Sequence, residues 1–483
     1  MTTSESIRTY RRPWITGLIA AGVSGVLYFF STGLNPVGAL LFIAPLPVLV
    51  VSRRLSAGKT FVVSFLASAI GTMNFAVYLA VFMPPPLLIS TLVLFSGVFG
   101  LTILAHRAAQ IRLAPLLSPF VFPSTWTAFE FLRSIASPNG TGGSIAYTQT
   151  NFLALIQVSS LTGMWGIVFI VTLIPAVLAV AWSVKSSMKQ IMGALAIPAL
   201  IAAFVLVFGY VRMTRDWRPQ AMPVGLAVTD TTIKYFQSEN PAESLPVIRA
   251  YADRAADLSG FGARVVVLPE KFAAVTVKSD SIVRTIFSRT SMRDSIVIVA
   301  GLNVIGTDRD TNAATVYFPD GKILNYRKKY LVPGFESKYY SGNTPLTFSV
   351  GERTAGVEIC KDMDFPEWSR EYAARGATIL FVPAWDFTVD GELHMRMAIL
   401  RGVENGFSIV RCAQQGLLTV SDFRGKIIAE EPSSKSPEVL LLSLVSPGPG
   451  RTFYSTIGDW FGWLSVAATA ALILTMLPGT RKD

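Results

Sequence analysis

The sequence predicts a polytopic α-helical membrane domain of about eight transmembrane helices, combined with a layered α/β sandwich domain. Of the 483 residues, 51% are hydrophobic and 15% are charged, which is more apolar than is usual for a soluble protein. Most of the charged residues lie between positions 212 and 457. We therefore expect a membrane domain at 1–211, a water-soluble domain at 212–457, and a last transmembrane helix with its tail at 458–483.

The membrane part is predicted from apolar runs of about 20 residues, the length that a helix needs to cross the hydrocarbon core. Seven runs precede the soluble domain and one follows it. The second run is short and is interrupted by proline, so it fits a spanning helix less well than the others. The runs are 14–33, 36–51, 60–82, 86–105, 113–132, 152–182, 190–211 and 458–477.

Basic residues in the short connections predict the orientation, because Lys and Arg accumulate on the cytoplasmic side. In the loops after spans one, three and five, the only basic residue is Arg133. We therefore expect both termini in the cytoplasm and the soluble domain on the opposite side. A cleaved signal peptide is the alternative for the first run, but the alternation requires that this span be retained. The basic residues on the predicted cytoplasmic side are Arg8, Arg11, Arg12, Arg53, Arg54, Lys59, Arg107, Arg112, Lys185, Lys189, Arg481 and Lys482.

The net charge of +11 is explained by this topology and does not indicate nucleic-acid binding. Two cysteines, Cys360 and Cys412, exclude a disulfide framework and a Cys-rich zinc site. The two histidines, His106 and His394, leave little material for His-based metal or proton chemistry. We therefore expect no metal and no cofactor, with His394 as a formal alternative base.

The soluble domain alternates short β-rich runs with amphipathic helical runs, which favours an α/β fold. Pro319-Asp320-Gly321 between two such runs indicates a hairpin, so part of the sheet is expected to be antiparallel. The predicted strands are 224–228, 263–269, 295–302, the two runs flanking 319–321, 355–359, 377–383, 407–413, 416–422 and 425–430. The predicted helices are 241–259, 279–293, 366–375 and 391–405.

Three polar residues, Glu270, Lys328 and Cys360, each follow a strand-like run or hairpin. Catalytic groups of α/β sheets commonly lie at such strand ends. Singly, they could be an exposed carboxylate, one lysine of a basic loop and a small buried hydrophobic residue. Together they make chemical sense, because a thiol needs a base or a cation to become a nucleophile. Glu270 can take the proton, and Lys328 can stabilise the thiolate and an oxyanion.

These residues lie in motifs that resemble those of the nitrilase superfamily, whose catalytic set is Glu-Lys-Cys. The combination with membrane spans is similar to one branch, the apolipoprotein N-acyltransferases. Arg401 and Glu404 match a later Arg-x-x-Glu of the superfamily. The matching stretches are LPEK (268–271), YRKKYLVPGFE (326–336), ICKDMDFPE (359–367), PSTWTAFEFLRS (123–134) and LTGMWGIVFIVTLIPAVLAV (161–180).

The resemblance implies an acyltransferase of the bacterial cytoplasmic (inner) membrane that transfers a fatty acyl chain. The donor would be a membrane phospholipid, a thioester would form on the cysteine, and the acceptor would be a diacylated apolipoprotein. Glu336 matches a second glutamate that fixes the lysine, with a solvated loop carboxylate as the alternative. Asp362 would hold the nucleophile loop or serve only as a turn residue. Trp385 matches a position near the substrate-pocket rim, although an aromatic residue that follows a strand more often belongs to the core.

The chain departs from the branch at several positions. Lys361 follows the nucleophile, where an aromatic residue is usual. Tyr330 replaces a histidine that often stands two residues after the lysine. The segment 138–143 replaces a Gly-x-Pro-Trp-like segment. These changes concern substrate loops more than the Glu-Lys-Cys set.

Two other functions stay open at this point. A membrane-anchored amidase that hydrolyses a small C–N substrate would use the same fold, and the altered loops favour it. A non-catalytic transporter-like or scaffold protein is disfavoured by the intact Glu-Lys-Cys set and by the few charges within the spans. Cys412 lies within an apolar run and is expected to be structural. Glu130 and Arg133, one helical turn apart, are expected to form an interfacial ion pair.

Overall fold

A computed structural model of the chain describes residues 3–184, 187–217, 219–229, 240–434 and 436–476, with side chains described from residue 13 onward. Lys185, Arg481 and Lys482, used in the topology prediction, lie outside these ranges, as do the side chains of Arg8, Arg11 and Arg12. The chain divides into two compact units. Unit 1 contains residues 1–137, 141–211 and 459–483, and unit 2 contains residues 138–140 and 212–458.

Unit 1 is helical. Five of its helices have segments long and apolar enough to cross a membrane: Pro13–Ser31, Ala57–Leu79, Pro85–Arg112, Met164–Ser183 and Met188–Thr214. The chain is therefore a membrane protein, as predicted. In chain order the first nine helices are α1 (Thr3–Ser31), α2 (Leu46–Ser52), α3 (Ala57–Leu79), α4 (Pro85–Arg112), α5 (Val121–Ala136), α6 (Leu153–Ile156), α7 (Ser159–Thr162), α8 (Met164–Ser183) and α9 (Met188–Thr214).

Two of the predicted spans are broken into shorter pieces. The run at 36–51 forms a 3₁₀ turn and the seven-residue α2, which begins after Pro45. The run at 152–182 forms α6, α7 and α8, and Gly163 separates the last two with a positive φ of 65° that a side chain would disfavour. The total of eight spans therefore remains a prediction.

Unit 2 is built on two sheets. The order in the first is β13-β1-β2-β4-β5-β6, with β3 paired to β4, and the order in the second is β12-β11-β10-β9-β8-β7. The strands are β1 (Met222–Thr229), β2 (Val265–Val267), β3 (Ala273–Val275), β4 (Val297–Val304), β5 (Thr311–Tyr317), β6 (Ile323–Arg327), β7 (Leu346–Val350), β8 (Arg353–Val357), β9 (Ile379–Trp385), β10 (Ser408–Gln414), β11 (Leu417–Ser421), β12 (Ile427–Pro432) and β13 (Glu438–Val445). The helices are α10 (Pro241–Gly260), α11 (Asp280–Asp294), α12 (Pro366–Ala374), α13 (Gly391–Asn405) and α14 (Phe453–Ile457), and α15 (Trp460–Met476) returns to unit 1.

The two sheets share one core. Because successive residues of a strand point to opposite faces, each sheet contacts this core with one face only. In β1, Val224 and Leu226 join the core shared by both sheets, whereas Ala227 packs with α10 and α11 in a second core. The pairs β1–β2, β2–β4, β3–β4, β8–β9 and β9–β10 are parallel, and the other pairs are antiparallel. This is the layered α/β sandwich that the sequence predicts.

Candidate active site

The structure brings Glu270, Lys328 and Cys360 to one end of the two sheets. Glu270 lies three residues after the parallel strand β2, Cys360 lies three residues after β8, and Lys328 directly follows β6. The ends of these strands meet because β2 and β8 belong to facing sheets that share one core. The thiol of Cys360 consequently lies in the electrostatic field of both Glu270 and Lys328.

Lys328 is almost fully buried between two carboxylates. Its Nζ donates to Glu270 Oε1 at 2.8 Å and to Glu336 Oε2 at 3.0 Å. Burial by itself lowers the pKa of Lys328, but the charges of Glu270 and Glu336 outweigh it and hold the pKa well above its usual value. These surroundings favour the charged form of Lys328, and Glu336 is one of the two carboxylates that contact it.

Asn312, on β5, is a site residue that sequence reasoning missed. Its side-chain amide donates to Glu270 Oε1 at 2.6 Å and to Glu336 Oε1 at 2.7 Å, and its backbone carbonyl accepts from Lys328 N. The residue is fully buried. An Asn within a strand whose residues are mostly buried was the available signal, because a buried amide requires hydrogen-bond partners.

Cys360 begins a 3₁₀ turn, Cys360–Asp364, with a positive φ of 42°. Its Sγ lies 3.5 Å from the backbone oxygen of Trp385 at the end of β9. Burial among protein atoms raises the pKa of the thiol well above its usual value, and the charge of Glu270 adds to this, while Lys328 opposes it. These surroundings favour the protonated form of the thiol.

Asp362 connects the nucleophile turn to the lysine loop. Its Oδ1 accepts from the backbone N–H groups of Lys329 and Tyr330, at 3.0 and 2.8 Å, and its Oδ2 accepts from Ile359 N and from the Tyr326 hydroxyl, at 3.0 and 2.6 Å. Burial raises the pKa of Asp362 to about 6, although these hydrogen bonds favour the charged form. The contacts support a holding role over that of a simple turn residue.

Trp385 is partly buried beside the thiol, and its Nε1 donates to Gln415 at 3.3 Å. The ammonium of Lys271 lies 6.0 Å from its ring. Lys271 also donates to Glu336 Oε1 at 2.7 Å. Lys271 is a second residue that sequence reasoning missed, although it stands within the LPEK motif.

Two of the departures from the branch pattern meet in space. Lys361 donates to Asn139 Oδ1 at 3.0 Å and to Asp364 at 3.3 Å, and the segment Pro138–Gly140 belongs to unit 2. Gly140 has a positive φ of 49°, and a Cβ there would lie 2.5 Å from the backbone oxygen of Asp364. The third departure, Tyr330, stacks on Phe365 with a ring separation of 3.5 Å.

The other candidates lie apart from this cluster or have different partners. Cys412 is fully buried in β10, as its apolar surroundings predict. Glu130 and Arg133 attract each other electrostatically, but the direct hydrogen bonds to the buried Glu130 carboxylate come from Trp126, Ser144 and the backbone N–H of Ile145. Arg133 lies over the ring of Phe95.

One group of side chains has the composition of a metal site. Ligand atoms of Asp386, Asp390 and His394 lie within 4.8 Å of one another. However, both oxygens of Asp386 accept from Arg411, and His394 lies 3.3 Å from Asp390. These side chains therefore have charged or hydrogen-bonding partners within the protein, and we do not propose a metal site here.

Comparison with known proteins bears on both halves of the chain. The family model described as the apolipoprotein N-acyltransferase N-terminal domain matches residues 24–177, and the carbon-nitrogen hydrolase model matches residues 226–444. The chain belongs to the apolipoprotein N-acyltransferase family. The resemblance that the motifs indicate is therefore confirmed, as is the combination of membrane helices with a nitrilase-like α/β domain.

Individual members of the family align along most of the chain. An apolipoprotein N-acyltransferase from Geobacter metallireducens is 24% identical, with 98% of this chain and 96% of that protein covered. One from Thermotoga maritima is 25% identical, covering 80% of this chain and 76% of that protein. A solved amidase from Nesterenkonia sp. is 22% identical with a TM-score of 0.41, covering 51% of this chain and 94% of the amidase.

Proposed function

We propose that this protein is an N-acyltransferase that moves a fatty acyl chain from a membrane phospholipid to the N-terminal diacylglyceryl-cysteine of apolipoproteins. The observation that carries the proposal is the cluster of Glu270, Lys328 and Glu336 beside the Cys360 thiol, in a chain whose two halves both match this family. The names of the relatives supply the acceptor, and the membrane helices supply a reason for a lipid donor.

In the first half-reaction, Glu270 takes the proton of Cys360, and the sulfur attacks the ester carbonyl of the phospholipid. Lys328 stabilises the oxyanion of the tetrahedral intermediate. The carbon–oxygen bond then breaks, Glu270 returns the proton to the leaving alkoxide, and a lysophospholipid departs. Cys360 is left as an acyl thioester.

In the second half-reaction, the α-amine of the diacylglyceryl-cysteine attacks the thioester, and Glu270 accepts the proton that the nitrogen loses. The carbon–sulfur bond breaks, the amide is complete, and the proton returns to the Cys360 sulfur. Water has to be kept from the thioester throughout, which favours a site beside the bilayer where both lipid substrates reside.

We further propose that residues 212–457 form the catalytic domain on the periplasmic or extracellular side of the bacterial cytoplasmic membrane, with both termini in the cytoplasm. Substrate contact by Trp385 and the holding roles of Glu336 and Asp362 belong to the same proposal. Hydrolysis of a small C–N substrate is not favoured, because the alignment with N-acyltransferases includes the membrane half as well as the hydrolase-like half.

The test is acyl-enzyme formation by the purified full-length protein. With phospholipid labelled in its acyl chains, we expect a hydroxylamine-sensitive adduct on Cys360 that is discharged by a diacylated lipopeptide. Cys360→Ala should abolish both steps, whereas Cys412→Ala, the matched control at a buried thiol, should retain them. An adduct that persists in Cys360→Ala and disappears in Cys412→Ala would contradict the assignment.

A further inference from the structure

Lys271 is a second lysine within the charged cluster. Its Nζ lies 2.7 Å from Glu336 Oε1, on the oxygen that Lys328 does not contact. The ammonium also lies 5.4 Å from the ring of Tyr339 and 6.0 Å from that of Trp385. Only 13% of the side chain is exposed.

The backbone at Lys271 is shaped to bring this side chain into the cluster. Its φ is 47°, a left-handed conformation that a lysine rarely adopts and that persists when surrounding contacts impose it. Gly301 of β4 packs directly beneath the turn, since a Cβ there would lie 2.2 Å from Pro269 O and 2.7 Å from Glu270 Cα. Two consecutive residues, Glu270 and Lys271, can thereby both reach Glu336 or its partners.

The charges in the cluster balance only when Lys271 is counted. Glu270 and Glu336 carry two negative charges, and Lys328 and Lys271 carry two positive charges. Burial is the main cause of the raised pKa of the Cys360 thiol, but Glu270 raises this pKa further and Lys328 lowers it, so the thiol responds to the balance of charges. The titratable and charged groups around the thiol and Lys271 are Glu270, Lys328, Glu336, Tyr339, Asp386 and Arg411.

We propose that Lys271 is a positioning residue that offsets the charge of Glu336, so that Lys328 stays shared with Glu270 beside the thiol. The inference rests on the proposed function of Cys360 as the nucleophile. Without Lys271, Glu336 would draw the Lys328 ammonium to itself, and the cluster would carry an additional negative charge. Both changes disfavour the thiolate.

The experiment measures the rate at which iodoacetamide, a small neutral reagent, alkylates Cys360 in the full-length protein as a function of pH. In Lys271→Met the pH profile should move to higher pH, with a rate at pH 7 lower on the order of tenfold. Lys271→Gln should behave like Lys271→Met, because it keeps a donor and loses the charge. Lys271→Arg should move the profile back toward that of the unmodified protein.

The matched control is Lys278→Met, at an exposed lysine seven residues along the chain, which should leave the profile unchanged. Protection of the buried Cys412 from the reagent reports in each sample that the fold is intact. If folded Lys271→Gln or Lys271→Met protein showed an unchanged pH profile of alkylation, the inference would be overturned. This would hold even if that variant formed the phospholipid adduct more slowly. Failure of the proposed function would appear differently, as normal alkylation without any acyl adduct in the unmodified protein.

Discussion

At the scale of single residues, the proposed mechanism requires the Cys360 thiol to lose its proton before or during attack. The environment of Cys360 keeps the thiol protonated, and the lysine beside it is engaged by two carboxylates. These surroundings disfavour a pre-formed thiolate of the kind found in cysteine sites with an unshared cation. In the proposed mechanism Glu270 removes the proton as the sulfur attacks, so mutation can separate the role of the base from that of the cation.

Glu270→Gln should slow formation of the thioester on the order of 10²-fold or more, because general-base catalysis is lost. Lys328→Met should be at least as damaging, since the cation acts on the oxyanion and on the thiolate. Lys328→Arg should restore little, because a planar guanidinium does not replace an ammonium held between Glu270 and Glu336. Single-turnover labelling with phospholipid measures all three, and an adduct formed at the normal rate by Lys328→Met would show that another group stabilises the oxyanion.

Glu358, two residues before the nucleophile, predicts a pH dependence of stability. It is fully buried, Ser369 donates to Oε2, and Oε1 has no hydrogen-bond partner among the described residues. Burial, reinforced by the charge of Asp362, raises its pKa well above the usual value. The folded state therefore keeps a proton that the unfolded state releases, so the stabilising contribution is present below about pH 4.5 and is lost as the pH rises.

Replacement of Glu358 by Gln removes this dependence. We expect Glu358→Gln to gain thermal stability relative to the unmodified protein between pH 5 and pH 8, with the gain growing as the pH increases. Thermal unfolding in detergent across this range measures the difference. An advantage that shrinks with increasing pH would contradict the raised pKa, and Glu367→Gln, at an exposed carboxylate on α12, serves as the control.

At the scale of elements, the sequence predicts the four longer helices of unit 2 well but misses the short α14 and some strands. Helix α13 has the predicted bounds, 391–405, because an amphipathic run ends at Gly406 with a φ of 77°. Strands β3, β7 and β13 were not predicted. The three-residue β3 is too short for a pattern, and β13 pairs with β1 across more than 200 residues, which no local signal reveals.

The site residues also differ in how well the sequence predicts them. Glu270, Lys328 and Cys360 could be identified because they follow strands within motifs, and Glu336 because it matches a known position. The contributions of Asn312 and Lys271 could not, because each depends on a carboxylate that is distant in sequence. The contact between Lys361 and Asn139 likewise joins residues 222 positions apart.

The Lys361 contact predicts coupling between the nucleophile turn and the segment 138–140. Lys361→Met and Asn139→Ala should each slow thioester formation, and the double variant should be little worse than the more damaging single one. The coupling energy should lie at roughly 0.5–3 kcal/mol, as for side chains in direct contact. Lys322→Met, at an exposed hairpin lysine, should combine additively with Asn139→Ala, and additivity in the Lys361 pair would contradict the proposed coupling.

At the scale of the whole molecule, composition alone separates the membrane part from the soluble part. The number of spans is harder to predict, because an apolar run has the same composition whether it forms one helix or several. The run at 152–182 shows this, since it forms α6, α7 and α8, with Gly163 between the last two. Orientation is carried by basic residues, several of which lie outside the described part of the chain.

Topology can be measured with single cysteines introduced into Cys360→Ala/Cys412→Ala protein. Val277→Cys, at a highly exposed position in unit 2, should react with a membrane-impermeant maleimide in intact spheroplasts. Ala57→Cys, at the exposed start of α3, should react only after permeabilisation. The reverse pattern would place residues 212–457 in the cytoplasm and refute the proposed orientation.

Unit 2 is discontinuous in the sequence, because residues 138–140 belong to it although helices of unit 1 flank them along the chain. An expressed fragment limited to residues 212–458 would include the strands and the charged cluster but would lack Asn139 and Gly140. Lys361 would then lose one of its partners, and the backbone of Asp364 would lose the residue that covers it. A fragment limited to the hydrolase-like half would therefore be an incomplete domain. A chimaera built from this half would need to include residues 138–140.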